Sequence, residues 1–306
     1  MVAMVPSGLV LLTTMTFAVS VIKLAKQKTL VQELYSIETL ARVDTLCLDK
    51  TGTITDGTMT VDDCVILADH HPEKFTKSQV KQIVSSMNHT LKDRNQTAKA
   101  LAEYFGKSAK LKAKSQVDFN SKNKYSVVTL ENGTFVMGAP EIISKGQYSS
   151  IKKEIEIYAK QGKRVLLLAE ADGIRNEKFS GKAKAIALIV INDTVRESAS
   201  NTIAQFIEAG VQIKVISGDN ALTVSEVARR AGVLNADQYI SMDEVSEDQI
   251  EQVANEYTVF GRVTPEQKKQ LITFMQAKEH KVCMIGDGVN DAPALKKANI
   301  GVAMGM

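Results

Sequence analysis

The sequence predicts an α/β protein: a parallel, doubly wound sheet interrupted by a second α/β domain, with one apolar helix ahead of both. Three observations carry this reading. Short apolar runs at residues 43–48, 185–191, 212–216, 258–260 and 281–285 alternate with helical stretches, which is the pattern of a parallel sheet. Between residues 62 and 172 the pattern changes to two amphipathic helices followed by a hairpin and a further strand. Residues 1–22 contain no charged side chain, and Lys23, Lys26 and Lys28 follow at once.

The apolar start approaches the ~20 residues that span a bilayer. It lacks the basic beginning and small-residue cleavage site of a secretory signal. The lysines after it mark a cytoplasmic C-terminal side. Residues 24–40 are polar and predict a helical stalk. Residues 43–48 then predict a buried strand ending on Asp49. Helices are expected over 76–91 and 97–105, opened by Thr76 and Asn95 as caps. Strands at 125–130 and 134–137 flank Glu131-Asn132-Gly133, a hairpin signal, and another strand is expected at 165–170. From residue 185 onward, strand, helix and strand alternate as the main sheet. The domain division this implies is 1–40, 41–61, 62–172 and 173–306.

Composition excludes several classes. The chain has 306 residues, room for two domains, and a net charge of +3, so no nucleic-acid footprint is implied. Cys47, Cys64 and Cys283 form no C-x-x-C pair, and an odd count argues against a disulfide framework. Buried thiols in core strands are the expectation.

In a parallel sheet, chemistry gathers at the carboxyl ends of strands. Asp49, Ser217-Gly218-Asp219 and Gly286-Asp287 all directly follow apolar runs. A lone aspartate at a strand end is more often a surface loop acid. Here it opens Asp49-Lys50-Thr51-Gly52-Thr53-Ile54-Thr55, in which a carboxylate nucleophile precedes a glycine-containing loop able to cradle phosphate.

That heptapeptide matches the phosphorylation motif of the P-type cation-transporting ATPases, and the chain resembles that family from end to end. Further motifs follow in order: Asp193-Thr194-Val195-Arg196, Ser217-Gly218-Asp219-Asn220, Arg262-Val263-Thr264-Pro265-Glu266-Gln267-Lys268, and the run from Met284 through Gly286-Asp287-Gly288-Val289-Asn290-Asp291 to Leu295. The resemblance implies a Rossmann-like phosphorylation domain of the haloacid dehalogenase superfamily with an inserted nucleotide-binding domain. It implies that Asp49 takes the γ-phosphoryl group of ATP. Asp49, Asp287 and the Thr51 carbonyl would hold Mg²⁺. Lys268, Ser217 and Gly218 would neutralise and bind the phosphoryl group, with Asp219, Asn290 and Asp291 supporting it. Phosphatases of the superfamily carry an acid/base aspartate where Thr51 stands, so an aspartyl-phosphate should persist here.

In the inserted domain, Phe119-Asn120-Ser121-Lys122-Asn123-Lys124 resembles the family's Phe-Ser-x-x-x-Lys element, with Phe119 against adenine and Lys124 near phosphate. Gly138-Ala139-Pro140-Glu141 resembles Lys-Gly-Ala-Pro-Glu, with Met137 in place of the lysine. Gln96 stands where many members carry an acid, and Arg164, Asp193 and Arg196 complete the nucleotide site by resemblance. Pro6-Ser7-Gly8-Leu9 resembles the ion-binding Pro-Glu-Gly-Leu of calcium-type pumps, with Ser7 for the glutamate. No Cys-Pro-Cys is present, so Ca²⁺ or another hard cation is the expected cargo. The actuator tripeptide Thr-Gly-Glu does not occur, nor does a second apolar span. The reading is a pump's catalytic core, from the fourth membrane helix to near the end of the phosphorylation domain. It would meet lipid through that helix, work with an actuator and further helices of the same pump, and transport nothing by itself. A soluble phosphatase and a non-catalytic ATP sensor are the competing classes. Thr51 speaks against the first, and the set Asp49, Lys268 and Asp287 against the second.

Overall fold

The computed structural model describes residues 7–67, 75–92, 95–107, 111–120, 123–144, 148–286 and 289–305. Pro6 and Asp287 therefore lie outside the described residues. The chain runs α1 (Ser7–Lys26), α2 (Ser36–Leu40), β1 (Thr45–Leu48), β2 (Thr55–Ile66), α3 (Lys77–Thr90), α4 (Gln96–Phe105), β3 (Ala113–Val117), β4 (Tyr125–Leu130), β5 (Gly133–Gly138), α5 (Pro140–Ile143), α6 (Tyr148–Ala159) and β6 (Arg164–Ala171). It continues through β7 (Gly173–Arg175), β8 (Lys178–Ser180), β9 (Lys184–Val195), α7 (Ala199–Glu208), β10 (Gln212–Ile216), α8 (Ala221–Arg230), β11 (Tyr239–Ser241), α9 (Ile250–Glu256), β12 (Val259–Gly261), α10 (Pro265–Ala277), β13 (Val282–Gly286), α11 (Ala292–Lys297) and β14 (Ile300–Ala303).

Two six-stranded sheets organise these elements. The first, ordered β11-β12-β10-β1-β13-β14, is parallel throughout. Alternation along β1 sends Leu46 and Leu48 towards α7 and α8, and Cys47 towards α9 and α10. The chain builds outward from β1 on one side, then crosses to β13 on the other. That reversal opens a crevice at the carboxyl ends of the central strands.

The second sheet, ordered β2-β9-β6-β5-β4-β3, is antiparallel. Its one face packs on Val80, Ile83, Val84 and Met87 of α3 and Leu101 and Phe105 of α4. Its other face packs on Ile143 of α5 and Ile151 and Ile155 of α6. Both helices expected from their caps are present. Thr76 and Gln79 form a reciprocal capping box at α3, and the Asn95 side chain accepts from the Ala98 N–H at 2.9 Å. In the expected hairpin Leu130 pairs with Gly133, so Glu131-Asn132 makes the turn.

The structure corrects two expectations. The strand over 185–191 does not open the parallel sheet; it is part of β9, which pairs with β2 and β6 in the antiparallel one. Its continuous apolar run arises because helices cover both faces of that sheet, and burial on both faces erases the alternation of an ordinary antiparallel strand. The expected continuous stalk is also interrupted. The helix α1 ends where the Thr29 N–H bonds the Leu24 carbonyl and the Lys28 N–H bonds that of Ala25, with Lys28 at φ 63°. This is a Schellman closure, and only the short α2 follows.

Among the described residues, Gly8–Lys26 is the one helix long and apolar enough to cross a bilayer, with mean hydropathy 1.9 and none of it buried.

All three cysteines are free and buried. Burial pushes the Cys47 and Cys283 thiols up to about 12 and Cys64 up to about 11. The folded state therefore holds these protons while unfolded thiols release theirs near ~8.5. Their contribution to stability is full below that pH and is lost as pH rises through the folded values. Iodoacetamide at pH 8 should leave the native protein unmodified and alkylate it only in denaturant. Stability measured with urea should fall above about pH 8.5.

Candidate active site

Four strands of the parallel sheet end on the residues that build the site. Asp49 follows β1, its N–H bonded to the Ile285 carbonyl at 2.9 Å. Ser217, Gly218 and Asp219 follow β10, Arg262 follows β12, and β13 ends on Gly286. The Asp49 side chain is 11% exposed and meets Lys268 Nζ of α10 at 2.6 Å. Asp291 Oδ1 approaches the same Nζ, also at 2.6 Å. Burial alone would depress the lysine's pKa, but Asp49 and Asp291 outweigh it and hold it above its ordinary value. Lys268 is thus a fixed cation at Asp49. A Cβ on Gly286 would lie 2.4 Å from Asp291 Oδ2, so this glycine is what lets Asp291 reach the lysine.

The loop after Asp49 is held from behind. It makes one wide turn over Lys50–Ile54, with Gly52 at φ 73°. Lys50 is wholly buried and pairs with Asp193 on β9 and with Asp219 Oδ2 at 2.8 Å. Burial opposes its charge, and Asp219 and Asp193 more than restore it. Asp219 is likewise pushed up by burial, and Arg164 and Lys50 pull it well below the carboxylate range. Arg196 donates through Nη2 to the Gly52 carbonyl at 2.8 Å and through Nε to that of Thr53 at 3.1 Å. Asp193 and Arg196 were expected at the nucleotide. They do not line the cavity described next; they brace the Asp49 loop.

A cavity of about 780 Å³ runs from this loop into the antiparallel-sheet unit. Its volume suits a drug-sized ligand. Asp49, Thr51, Ser217, Gly218, Asp219, Lys268, Asn290 and Asp291 line one end. Lys124, Arg164 and Arg262 line the middle. Gln96, Phe119, Met137 and Gly138 line the far end, with Met59, Leu91 and Leu166. Phe119 is 40% exposed, an aromatic face offered to the cavity instead of core packing. Gly138 has a backbone reason: a Cβ there would lie 2.4 Å from the Lys124 carbonyl oxygen of the paired strand.

The middle is strongly cationic. Arg164 Nε stands 3.6 Å from Asp219 Oδ1, and Lys124 Nζ donates to the Arg262 carbonyl at 3.3 Å. Burial and the neighbouring Arg262 depress the Lys124 pKa. Arg262 itself was not foreseen as a site residue. It sits at φ 55°, fixed by its N–H to the Asp219 carbonyl at 2.8 Å, and donates to the Gly218 carbonyl at 3.3 Å. Nothing in sequence pattern marks a buried, left-handed arginine.

The oxygen-only donors beside Asp49 suit a hard cation such as Mg²⁺. Among the described residues no group of three or more His, Cys, Asp or Glu gathers as a metal cluster.

Comparison with known proteins agrees with this geometry. A family model described as haloacid dehalogenase-like hydrolase matches residues 43–299. The chain is 38% identical over 99% of its length to the "Probable cation-transporting ATPase exp7" of Streptococcus pneumoniae, covering 39% of that protein. It is 37% identical over its full length to the "Calcium-transporting ATPase CtpE" of Mycolicibacterium smegmatis, covering 38%. To the "Calcium-transporting ATPase 1" of Saccharomyces cerevisiae it is 30% identical over 99% of its length, covering 40%. The chain thus spans about two fifths of these relatives. With the family match covering five of the six strands of the parallel sheet, the Asp49 loop and Lys268 alike, the chain belongs to the haloacid dehalogenase-like hydrolases.

Proposed function

We propose that this chain is the catalytic core of an ATP-driven cation pump in which Asp49 accepts the γ-phosphoryl group of ATP. One observation carries the reading: a single cavity is lined both by Asp49, neutralised by Lys268, and by Phe119 of the antiparallel-sheet unit. The base binds between Phe119 and the apolar wall of Met59, Leu91 and Met137. Lys124 and Arg164 meet the phosphates. Ser217 and the Gly218 N–H hydrogen-bond the γ-phosphoryl oxygens, and Asp49 attacks in line while Lys268 balances the charge. Asp49 and Thr51, completed by Asp287, would hold Mg²⁺, which supplies further charge neutralisation when bound. Asp219 serves through Lys50 and Arg164, and Asn290 and Asp291 position the phosphoryl end.

Thr51 offers no acid or base to activate water, so the aspartyl-phosphate persists long enough to drive transport. The relatives' names favour Ca²⁺ as cargo, or another hard cation, although Ser7 lacks the carboxylate expected there. Lys23 and Lys26 at the end of the apolar helix α1 support a catalytic part on the cytoplasmic side of a cell membrane. The remaining membrane helices and the actuator of such a pump would be its partners.

Acid-stable labelling from [γ-³²P]ATP tests the reading. Stable label on Asp49 is expected. Rapid turnover would point to a phosphatase, and no label to a nucleotide sensor. In a pump containing this core, Ca²⁺-dependent labelling would support the cargo.

The division of labour gives a separate prediction. Phe119→Ala should weaken ATP binding by ~1–3 kcal/mol, the usual worth of base–aromatic stacking. Labelling from acetyl phosphate, which needs no base site, should be unchanged. Isothermal titration and acid-quench labelling read the two effects, and equal loss of both would place Phe119 in the packing of the fold.

A further inference from the structure

Given the functional reading above, on which this inference rests, we propose that Glu141 is a positioning residue: its ion pair with Arg262 latches the antiparallel-sheet unit onto the parallel-sheet unit and so sets the distance over which the phosphoryl group is passed. Several contacts cross between the two units. Arg164 faces Asp219, Lys124 bonds the Arg262 carbonyl, and the Thr223 hydroxyl of α8 donates to the Lys163 carbonyl at 3.1 Å. The turn at Gly162 also packs on α8, where an added Cβ would meet Glu226 and Val227 at 3.4 and 3.5 Å. Arg164, Lys124 and Thr223 all line the cavity, so changing them alters ligand contacts together with closure.

The pair Glu141–Arg262 is different. Its side chains are 17% and 10% exposed, so water and salt screen it little. Glu141 is not among the described residues that line the cavity. Each partner is held rigidly on its own unit. The left-handed backbone of Arg262 is pinned by the Asp219 carbonyl, and Glu141 sits in the first turn of α5, two residues after Ala139, whose N–H bonds the Lys124 carbonyl at 2.9 Å. A non-glycine residue keeps such a backbone only when its surroundings over-determine it, here to aim the guanidinium across the cleft. Without the carboxylate, Arg262 keeps its bond to Gly218, and each unit keeps its own ligand groups, but the cleft is closed by fewer contacts and opens more readily. Transfer from a nucleotide anchored in one unit to Asp49 in the other depends steeply on that distance.

The experiment compares the full chain with Glu141→Gln and Glu141→Ala. Labelling of Asp49 from ATP is expected to fall roughly 10- to 100-fold, the cost of a misplacement near an ångström. Labelling from acetyl phosphate, which diffuses to Asp49 unanchored, is expected to stay at the wild-type level and also shows that the variants fold. Small-angle scattering without nucleotide should give a larger radius of gyration for both variants. Unchanged ATP labelling would overturn the proposal, as would parallel loss with both donors. A wild-type chain that never labels from ATP would instead overturn the functional reading. The latch would then stand or fall on scattering, and an unchanged radius of gyration would reject it.

Discussion

Asp49→Asn protein should incorporate no acid-stable phosphate from ATP and should still bind nucleotide. Asparagine keeps the size of the side chain and removes the charge that attacks phosphorus. Removing the nucleophile of a covalent mechanism costs on the order of 10⁶ in rate. The base site at Phe119 lies at the other end of the cavity and is untouched. The fold should survive, because Lys268 keeps Asp291 at 2.6 Å as its partner and no buried cation is left alone. Acid-quench labelling and nucleotide titration on the same preparation check both halves. A labelled Asp49→Asn chain would place the phosphate elsewhere and sink the assignment.

The second large effect concerns stability. Lys50→Met should destabilise the protein by about 3–5 kcal/mol at pH 7, because it strands two carboxylates against an apolar side chain. That is a large share of the ~5–15 kcal/mol that holds a typical domain together. The sign with pH follows from Asp219. In the native protein Arg164 and Lys50 keep its carboxyl below the ordinary range despite burial. Its favourable contribution is therefore present above the unfolded value and is lost as pH falls towards the folded one. In the variant, burial of Asp219 is opposed by Arg164 and Arg262 without Lys50. Proton uptake becomes easier, and the gap to wild type should narrow as pH is lowered from 7 to 5. Urea unfolding at the two pH values measures it. Combining Lys50→Met with Asp193→Asn and Asp219→Asn should recover much of the loss, since removing a whole buried charge set is far milder than breaking it. A loss below about 1 kcal/mol in the single variant would show that water reaches the pair after all.

Lys50 also marks where sequence reading stops. As part of the heptapeptide it was visible only as a letter between the nucleophile and the loop. Its burial depends on Asp193, which is 143 residues away and on the other sheet. The same holds for Arg262 and Glu141, which meet across the cleft through backbone geometry that no local pattern encodes. The strand β9 was legible as a strand but not as a partner of β2, because a run buried on both faces carries no alternation to reveal its sheet.

The sequence by itself determined the class of the fold and singled out Asp49 as the proposed nucleophile. Strand-then-acid at Asp49, the loop behind it and the lysine at 268 are local or strictly ordered features, written in short segments whose spacing alone limits what they can do. The caps at Thr76 and Asn95 and the hairpin at Glu131-Asn132 were legible for the same reason: their hydrogen bonds close within a few residues. Only the tertiary structure decided which cations and carboxylates share a site. It set Asp193 and Arg196 behind the Asp49 loop, where they hold Lys50 and the loop carbonyls, and it set Arg262 between the two units. The physical reason is range. A capping bond is settled by neighbours in the chain, whereas the protonation and partner of a buried charge are settled by whatever the fold brings within a few ångströms of it.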